Sequence, residues 1–239
     1  MWSGPRNVST ALMRAFESRA DTSVVDEPLY AHYLRETGLD HPGREQILAS
    51  QEQDWRKVVT QLSAPLPAGT TVSYQKHMAH HLLPGIDVDW LAEFEQAFLI
   101  REPRAMLPSL ERVLERTPRL EDTGFPQQVR LFEGLCSPTG PSPAVVDSTD
   151  LLQNPRATLA ALCERLGLEF DPAMLAWEAG PRSTDGCWGP TWYAGTYAST
   201  GFKAPAGPAS PTELSSDLER VAQQAQPLYD QLYAQRLGA

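Results

Sequence analysis

Short apolar, β-branched runs alternate along this chain with longer amphipathic stretches, and that alternation restricts the fold more than any other feature. Thr22 to Val25, Thr70 to Tyr74, Phe98 to Ile100 and Ala144 to Val146 read as strands, and Met1 to Gly4 as the end of another. Val8 to Arg19 reads as a helix, because Val8, Leu12, Ala15 and Phe16 share one face at spacings of three to four. The same reasoning predicts helices from Gly43 to about Leu62, Trp90 to Gln96, Arg104 to Leu114, Pro155 to Leu166 and Pro211 to Leu237. Gly167 stops the fourth of these. Short strands separated by helices form a parallel sheet covered on both faces. The expected class is therefore α/β, a three-layer α/β/α arrangement around a central parallel sheet. No internal repeat or linker divides it. A single domain over 1–239 follows, its part from 180 to 239 made of an aromatic loop and a terminal helix. Pro138 to Pro143 (PTGPSP) reads as a surface loop.

Charge limits the partners. Twenty basic against thirty acidic residues give a net charge of -10, which argues against broad nucleic-acid affinity. An anionic small molecule would then need a local collection of Arg, Lys and backbone N–H donors. No run of about 18 apolar residues is present, so no membrane span is expected. Met1 to Arg6 lacks the apolar core of a secretory leader, and Cys136, Cys163 and Cys187 show no CxxC spacing. Both point to a reducing, cytoplasmic compartment.

Ligands of open parallel sheets bind beyond the carboxyl ends of the strands, and two segments there carry suitable groups. Ser3-Gly4-Pro5-Arg6-Asn7-Val8-Ser9-Thr10 lies between a strand and a helix start, whose free N–H groups and dipole favour an oxyanion. Gly4 would permit a tight turn, Arg6 adds a charge, and Ser9 and Thr10 add hydroxyls. GxxxxGK[ST] is absent, so this is not a Walker A loop. Arg101-Glu102-Pro103-Arg104 follows the Phe98 to Ile100 strand, and Ser109 lies eight residues after Arg101. An Arg at a strand end and a Ser on the next helix suit a single phosphate. Each segment alone also fits an ordinary capped turn or a surface ion pair.

Together, they resemble the sulfotransferases. SGPRNVST is similar to that family's 5'-phosphosulfate loop, P-[KR]-S-G-[ST]. LIREPRAMLPSL is similar to its 3'-phosphate motif, R-x-P-x(5)-S-[LY], with the same Arg-to-Ser spacing. VVDSTDLLQNPRATLAALCERLGLEF resembles a further family segment that packs on the sheet. The likeness covers roughly residues 2 to 172. It implies a P-loop NTPase-like fold of sulfotransferase type, 3'-phosphoadenosine 5'-phosphosulfate as co-substrate, a hydroxyl or amine of a small molecule as acceptor, and no metal. Three departures stand out. The first strand is nearly missing, so it is either short or preceded by residues upstream of Met1. Asn7-Val8 replaces Ser-Gly in the loop. Asp147-Ser148-Thr149-Asp150 stands where Tyr-Glu-Asp is common.

The resemblance also offers catalytic candidates. Glu27 follows the strand after which several sulfotransferases place a catalytic Glu. His77 and Lys76 follow the third strand, near where others carry a catalytic His or Lys. Either Glu27 or His77 would be the base, with Lys76 and Arg6 supporting the bridging oxygen. Lys203, in the aromatic segment from Trp188 to Lys203, or Arg182 is a further candidate for the nucleotide. That segment reads as a loop whose rings stack on adenine, cover an acceptor, or pack on the core. His77 and His81, four apart, would share a helix face and suggest zinc, but HExxH is absent and the family needs none. His80 and His81 are assigned to the acceptor pocket or the surface. The alternative to transfer is a P-loop-like nucleotide-binding protein without activity, or an ATP-dependent small-molecule kinase relative, for which a Mg²⁺ requirement would speak.

Overall fold

The computed structural model describes residues 1–137, 140–203 and 213–238. Its centre is a five-stranded, all-parallel sheet of β1 (Trp2–Ser3), β2 (Thr22–Asp26), β3 (Val72–Met78), β4 (Ala97–Ile100) and β5 (Ala144–Asp147), in the order β2-β3-β1-β4-β5. The expected α/β class and parallel sheet are those observed.

Alternation along each strand feeds two cores. Trp2, Phe98, Ile100 and Val145 face one layer, with Met106, Leu107, Phe125, Val129, Leu218 and Ala222. Ala97, Leu99, Ala144 and Val146 face the other, with Leu12, Phe16, Leu159 and Leu162. The first layer is built from α5 (Pro103–Leu114), α6 (Phe125–Leu135) and α11 (Ser216–Tyr233). The second is built from α1 (Ser9–Glu17) and α8 (Pro155–Arg165). Leu12, Phe98, Leu99, Leu159 and Leu162 are wholly inaccessible, each contributing roughly 1.5–3 kcal/mol of apolar burial.

Several expected elements differ. The stretch from Gly43 to Leu62 forms two helices, α3 (Arg44–Ser50) and α4 (Trp55–Leu62). Glu52 accepts from the backbone N–H groups of Gln53 and Asp54, and Asp54 accepts from Arg56 N–H, so a new cap interrupts the pattern. The expected helix at Trp90–Gln96 is only a 3₁₀ turn, Asp89–Glu93. Gln96 ends it by donating to the carbonyls of Leu91 and Phe94 and accepting from the Trp2 indole. β3 extends to Met78, so Lys76 and His77 lie inside the strand rather than after it. No sequence expectation covered α2 (Tyr30–Thr37), closed by Gly38 at φ 67°, α6 or the short α7 (Ser148–Gln153) that precedes α8. The aromatic segment contains two single-turn helices, α9 (Gly189–Trp192) and α10 (Ala194–Tyr197), rather than pure loop. Of the expected tail helix, Pro211 and Thr212 lie outside the described residues, as do Pro138, Thr139, 204–212 and Ala239 of the loop and tail assignments.

Candidate functional site

The register places five strand ends on one edge: Ser3 beside Met78 and Leu99, Asp26 beside Lys76, and Ile100 beside Asp147. A cleft of about 330 Å³ opens there, lined among others by Arg6, Ser9, Thr10, Glu27, Lys76, Arg101 and Lys203. Most of the residues singled out by sequence therefore converge.

The loop between β1 and α1 is strained. Arg6 and Val8 take left-handed φ values of 61° and 59°, rare for side chains with a Cβ and rarer for a branched one. Left-handed residues in such a loop turn backbone N–H groups into an anion-binding concavity. Val8 is the N-cap of α1 and offers no side-chain cap, which leaves the helix's first N–H groups for a ligand. Asn7 anchors the loop by donating to Leu99 O (3.2 Å), while Ser148 Oγ bonds Asn7 O (2.9 Å).

Two of the loop residues play different parts from those expected. Ser3 is buried with its hydroxyl toward Met78 Sδ, beneath the cleft rather than in it. Gly4 serves close approach rather than a tight turn: a Cβ there would lie 2.3 Å from Thr123 O. Pro5, Arg6, Asn7, Val8, Ser9 and Thr10 all line the cleft.

Arg6 turns toward α5. Its Nε donates to Ser109 Oγ (2.8 Å) and its Nη1 to Trp192 O (2.8 Å), while Arg101 Nη1 donates to Arg6 O (2.7 Å). Arg6 thus groups with Arg101 and Ser109, while Lys76 is bonded to Asp26, Glu27 and Tyr193. Among the described residues neither arginine has a carboxylate at ion-pair distance. Burial disfavours Arg6's charge, and the charges of Arg101 and Arg112 add to that; burial also lowers Arg101's pKa. Two guanidiniums without a carboxylate at ion-pair distance gather positive charge at this corner of a protein of net charge -10, with Asp147 and Glu102 offsetting part of Arg101's.

Glu27 and Lys76 form the second group. Lys76 Nζ is buried and donates to Glu27 Oε1 (2.6 Å), Asp26 Oδ1 (2.8 Å) and Tyr193 OH (2.6 Å), which uses all three of its protons. Burial alone would lower its pKa, but Asp26 and Glu27 hold it above the ordinary value, so it stays charged. Burial pushes Glu27's carboxyl up, with Lys76 opposing. Glu27 also adopts a left-handed φ of 43°, held by Glu27 N–H to Lys76 O (2.9 Å) and by Gln51 Nε2 to Glu27 O (3.2 Å). Tyr193 OH accepts from Trp188 Nε1 (2.6 Å) and lies 2.8 Å from Asp26 and 3.0 Å from Glu27.

His77 does not join them. Alternation along β3 points it to the opposite face from Lys76, where its ring stacks on Trp2 at 4.4 Å between centroids and bonds Gln75. The shared helix face imagined for His77 and His81 does not form, since His77 is in β3 and Ala79–His81 is a 3₁₀ turn. His80 and His81 line the cleft instead, beside Tyr30, His41 and Trp192. Tyr30, His41, Asp26 and Gln51 were not marked by sequence. His41 lies before a Pro-Gly pair with no spacing to any motif, and only the acid pair Asp26-Glu27 at a strand end hinted at its partner.

No helix among the described residues is long and apolar enough to cross a membrane. A profile of the sulfotransferase domain matches residues 1–236. Two proteins of Arabidopsis thaliana, branched-chain-amino-acid aminotransferase-like proteins 1 and 2, are 39% and 38% identical over 204 residues, 85% of this chain and 36% of theirs. The chain thus spans about a third of the length of these relatives. The sulfotransferase domain of the Synechococcus PCC 7002 olefin synthase superposes with a TM-score of 0.55 at 21% identity, covering 99% of this chain and 94% of that one, a likeness of fold. With the strand-end cleft and its arginine pair, the profile match establishes that this chain belongs to the sulfotransferase family.

Proposed function

We propose that this domain transfers a sulfuryl group from 3'-phosphoadenosine 5'-phosphosulfate to a hydroxyl of a small molecule. The observation that carries the proposal is the convergence of Arg6, Arg101 and Ser109 beside the strained loop, a short way along the same edge from the buried Glu27–Lys76 pair. Ser109 Oγ accepts from Arg6, so its own proton is available to a 3'-phosphate oxygen. Arg101 uses one Nη1 proton on Arg6 O and keeps the rest of its fork for the same phosphate. The loop and the start of α1 then receive the 5'-phosphosulfate, and Lys203 lies on the cleft wall for the nucleotide.

Transfer is an in-line displacement at sulfur. Glu27 takes the acceptor's O–H proton, the acceptor oxygen forms the new S–O bond, and the bond to the bridging oxygen breaks with its electrons passing to the departing 5'-phosphate. Loop N–H groups stabilise that charge, as in phosphoryl transfer. A carboxyl whose pKa is raised by burial is suited to a base at neutral pH. Lys76, with every proton engaged, orients Glu27 and keeps its second oxygen turned to the cleft.

Calorimetric titration with 3'-phosphoadenosine 5'-phosphate and with ADP, without added metal, tests this. The first should bind far tighter, and Arg101→Ala should weaken it by about 10- to 100-fold, the loss of a charged hydrogen bond. Equal affinity for ADP, or an indifferent Arg101→Ala, would sink the assignment.

A further inference from the structure

Next to Glu27, the cleft wall carries polar atoms that nothing in the fold uses. His41 Nε2, His80 Nδ1 and His81 Nδ1 are buried and have no hydrogen-bond partner among the described residues. All three histidines are at most 9% exposed and all line the cleft. Buried polar groups are almost always bonded, and leaving one unpaired costs about 1–3 kcal/mol. Asn7 Oδ1 and Trp192 Nε1, on residues that line the same cleft, are unpaired as well, and the three imidazole nitrogens gathered beside Glu27 make that part of the wall a recognition surface that a ligand completes.

The rings are fixed for that task. Tyr30 stacks on His81 at 4.5 Å, Tyr33 stacks on His81 at 4.7 Å and meets His80 edge-on at 5.3 Å, and Tyr30 OH bonds His41 Nδ1 at 2.9 Å. The last bond engages Nδ1 and leaves His41 Nε2 as the ring's unpaired nitrogen. His81 Nδ1 lies 4.0 Å from Glu27 Oε2, the carboxylate oxygen that Lys76 does not hold. That gap is too long for a direct bond and right for one oxygen bonded to both.

We infer that the acceptor is an uncharged molecule with two neighbouring hydroxyl groups, one seated between Glu27 Oε2 and His81 Nδ1 and the other bonded to the His80–His41 edge. This rests on the sulfotransferase reading and specifies its acceptor. Charge supports it. Burial lowers the pKa of all three imidazoles, that of His80 to about 3, so at neutral pH they are uncharged and offer no counter-charge to an acid. The one buried cation at hand, Lys76, is already shared by two carboxylates, and it would repel an ammonium brought to Glu27. Neutral imidazoles each provide a donor and an acceptor, which suits hydroxyls that do both. A single hydroxyl would satisfy the Glu27–His81 gap and leave His41 and His80 unpaired. Tyr30 and Trp192 are among the residues that line the cleft around the carbon framework.

The test uses the full chain saturated with 3'-phosphoadenosine 5'-phosphate and calorimetric titration of size-matched probes: catechol against phenol, cis-cyclohexane-1,2-diol against cyclohexanol, and benzoate and benzylamine as charged controls. Each diol should bind about tenfold or more tighter than its mono-ol, and tighter than either control. The diol advantage should fall to about twofold in His80→Phe, which keeps a ring without nitrogen. It should persist in His80→Asn, whose amide restores a polar atom near Nδ1. Equal binding of diols and mono-ols, preference for benzoate or benzylamine, or a diol advantage untouched by both His80→Phe and His41→Phe would overturn the inference. If these occur while the nucleotide binds, only the acceptor class is wrong. If the nucleotide fails to bind, the sulfotransferase reading falls with it.

Discussion

Glu27 sits in a left-handed backbone conformation, inside the protein, with one oxygen on Lys76 and the other facing the cleft. Its Oε1 is needed as a partner of buried Lys76, but Oε2 has no such partner, and backbone strain of about 1–3 kcal/mol is tolerated where function demands it. His77, by contrast, is a core side chain on Trp2. With the phosphosulfate donor and catechol, Glu27→Gln should lower turnover by about 10²-fold or more and change affinity for 3'-phosphoadenosine 5'-phosphate by less than about twofold. His77→Ala should retain turnover per folded molecule. Release of the nucleotide product measures both, and turnover surviving in Glu27→Gln would remove Glu27 as the base.

Among the elements, the loop from β1 to α1 depends on its neighbours as much as on its own residues. Gly4 lies under the 3₁₀ turn Glu121–Thr123, and a Cβ added at Gly124 would in turn lie 3.3 Å from Gly4 Cα. Gly4→Ala should therefore destabilise the protein by about 1–3 kcal/mol, read as a lower urea midpoint; an unchanged midpoint would show that the turn yields freely. The sequence made the sheet legible because β-branched runs such as Thr22 to Val25 are short, apolar and bounded. It also marked the loop and the Arg101–Ser109 pair, whose spacing is local. It did not reveal that β3 reaches Met78, since Gln75-Lys76-His77 interrupts the apolar run and is tolerated only because β2 and β1 pair with it on both sides. The partner of Glu27 and the histidine wall were hidden for a related reason. Tyr193 is 166 residues from Glu27, and no periodicity encodes a contact across that distance.

At the scale of the molecule, the buried imidazoles make stability depend on pH. His80 has its pKa lowered from 6.5 to about 3 in the folded state, so the unfolded chain takes up the proton first as pH falls below 6.5. Stability is unaffected by this group above that value and is lost on acidification, by about 1.4 kcal/mol per pH unit down to the folded pKa. Between pH 6.5 and 5 that amounts to about 2 kcal/mol, and His77 and His81, also lowered by burial, act in the same direction. Thermal melts should show a drop in Tm from pH 7 to 5 that is shallower in His80→Asn; parallel curves for the two proteins would refute the burial argument. Net charge of -10 is compatible with a positive corner at Arg6 and Arg101, because the Glu27–Lys76 pair and the neutral histidines lie elsewhere in the same cleft. The Tyr193 hydroxyl closes that edge by joining the ends of β2 and β3, laid down in the first third of the chain, to a segment near its end. During synthesis on the ribosome, Arg6, Glu27, Lys76 and Arg101 all emerge before it. Until residue 193 is released, the Lys76–Glu27 pair lacks its Tyr193 cover, and a chain stalled short of α9 holds the strained loop from β1 to α1 without the Trp192 carbonyl and Tyr193 hydroxyl that complete the edge.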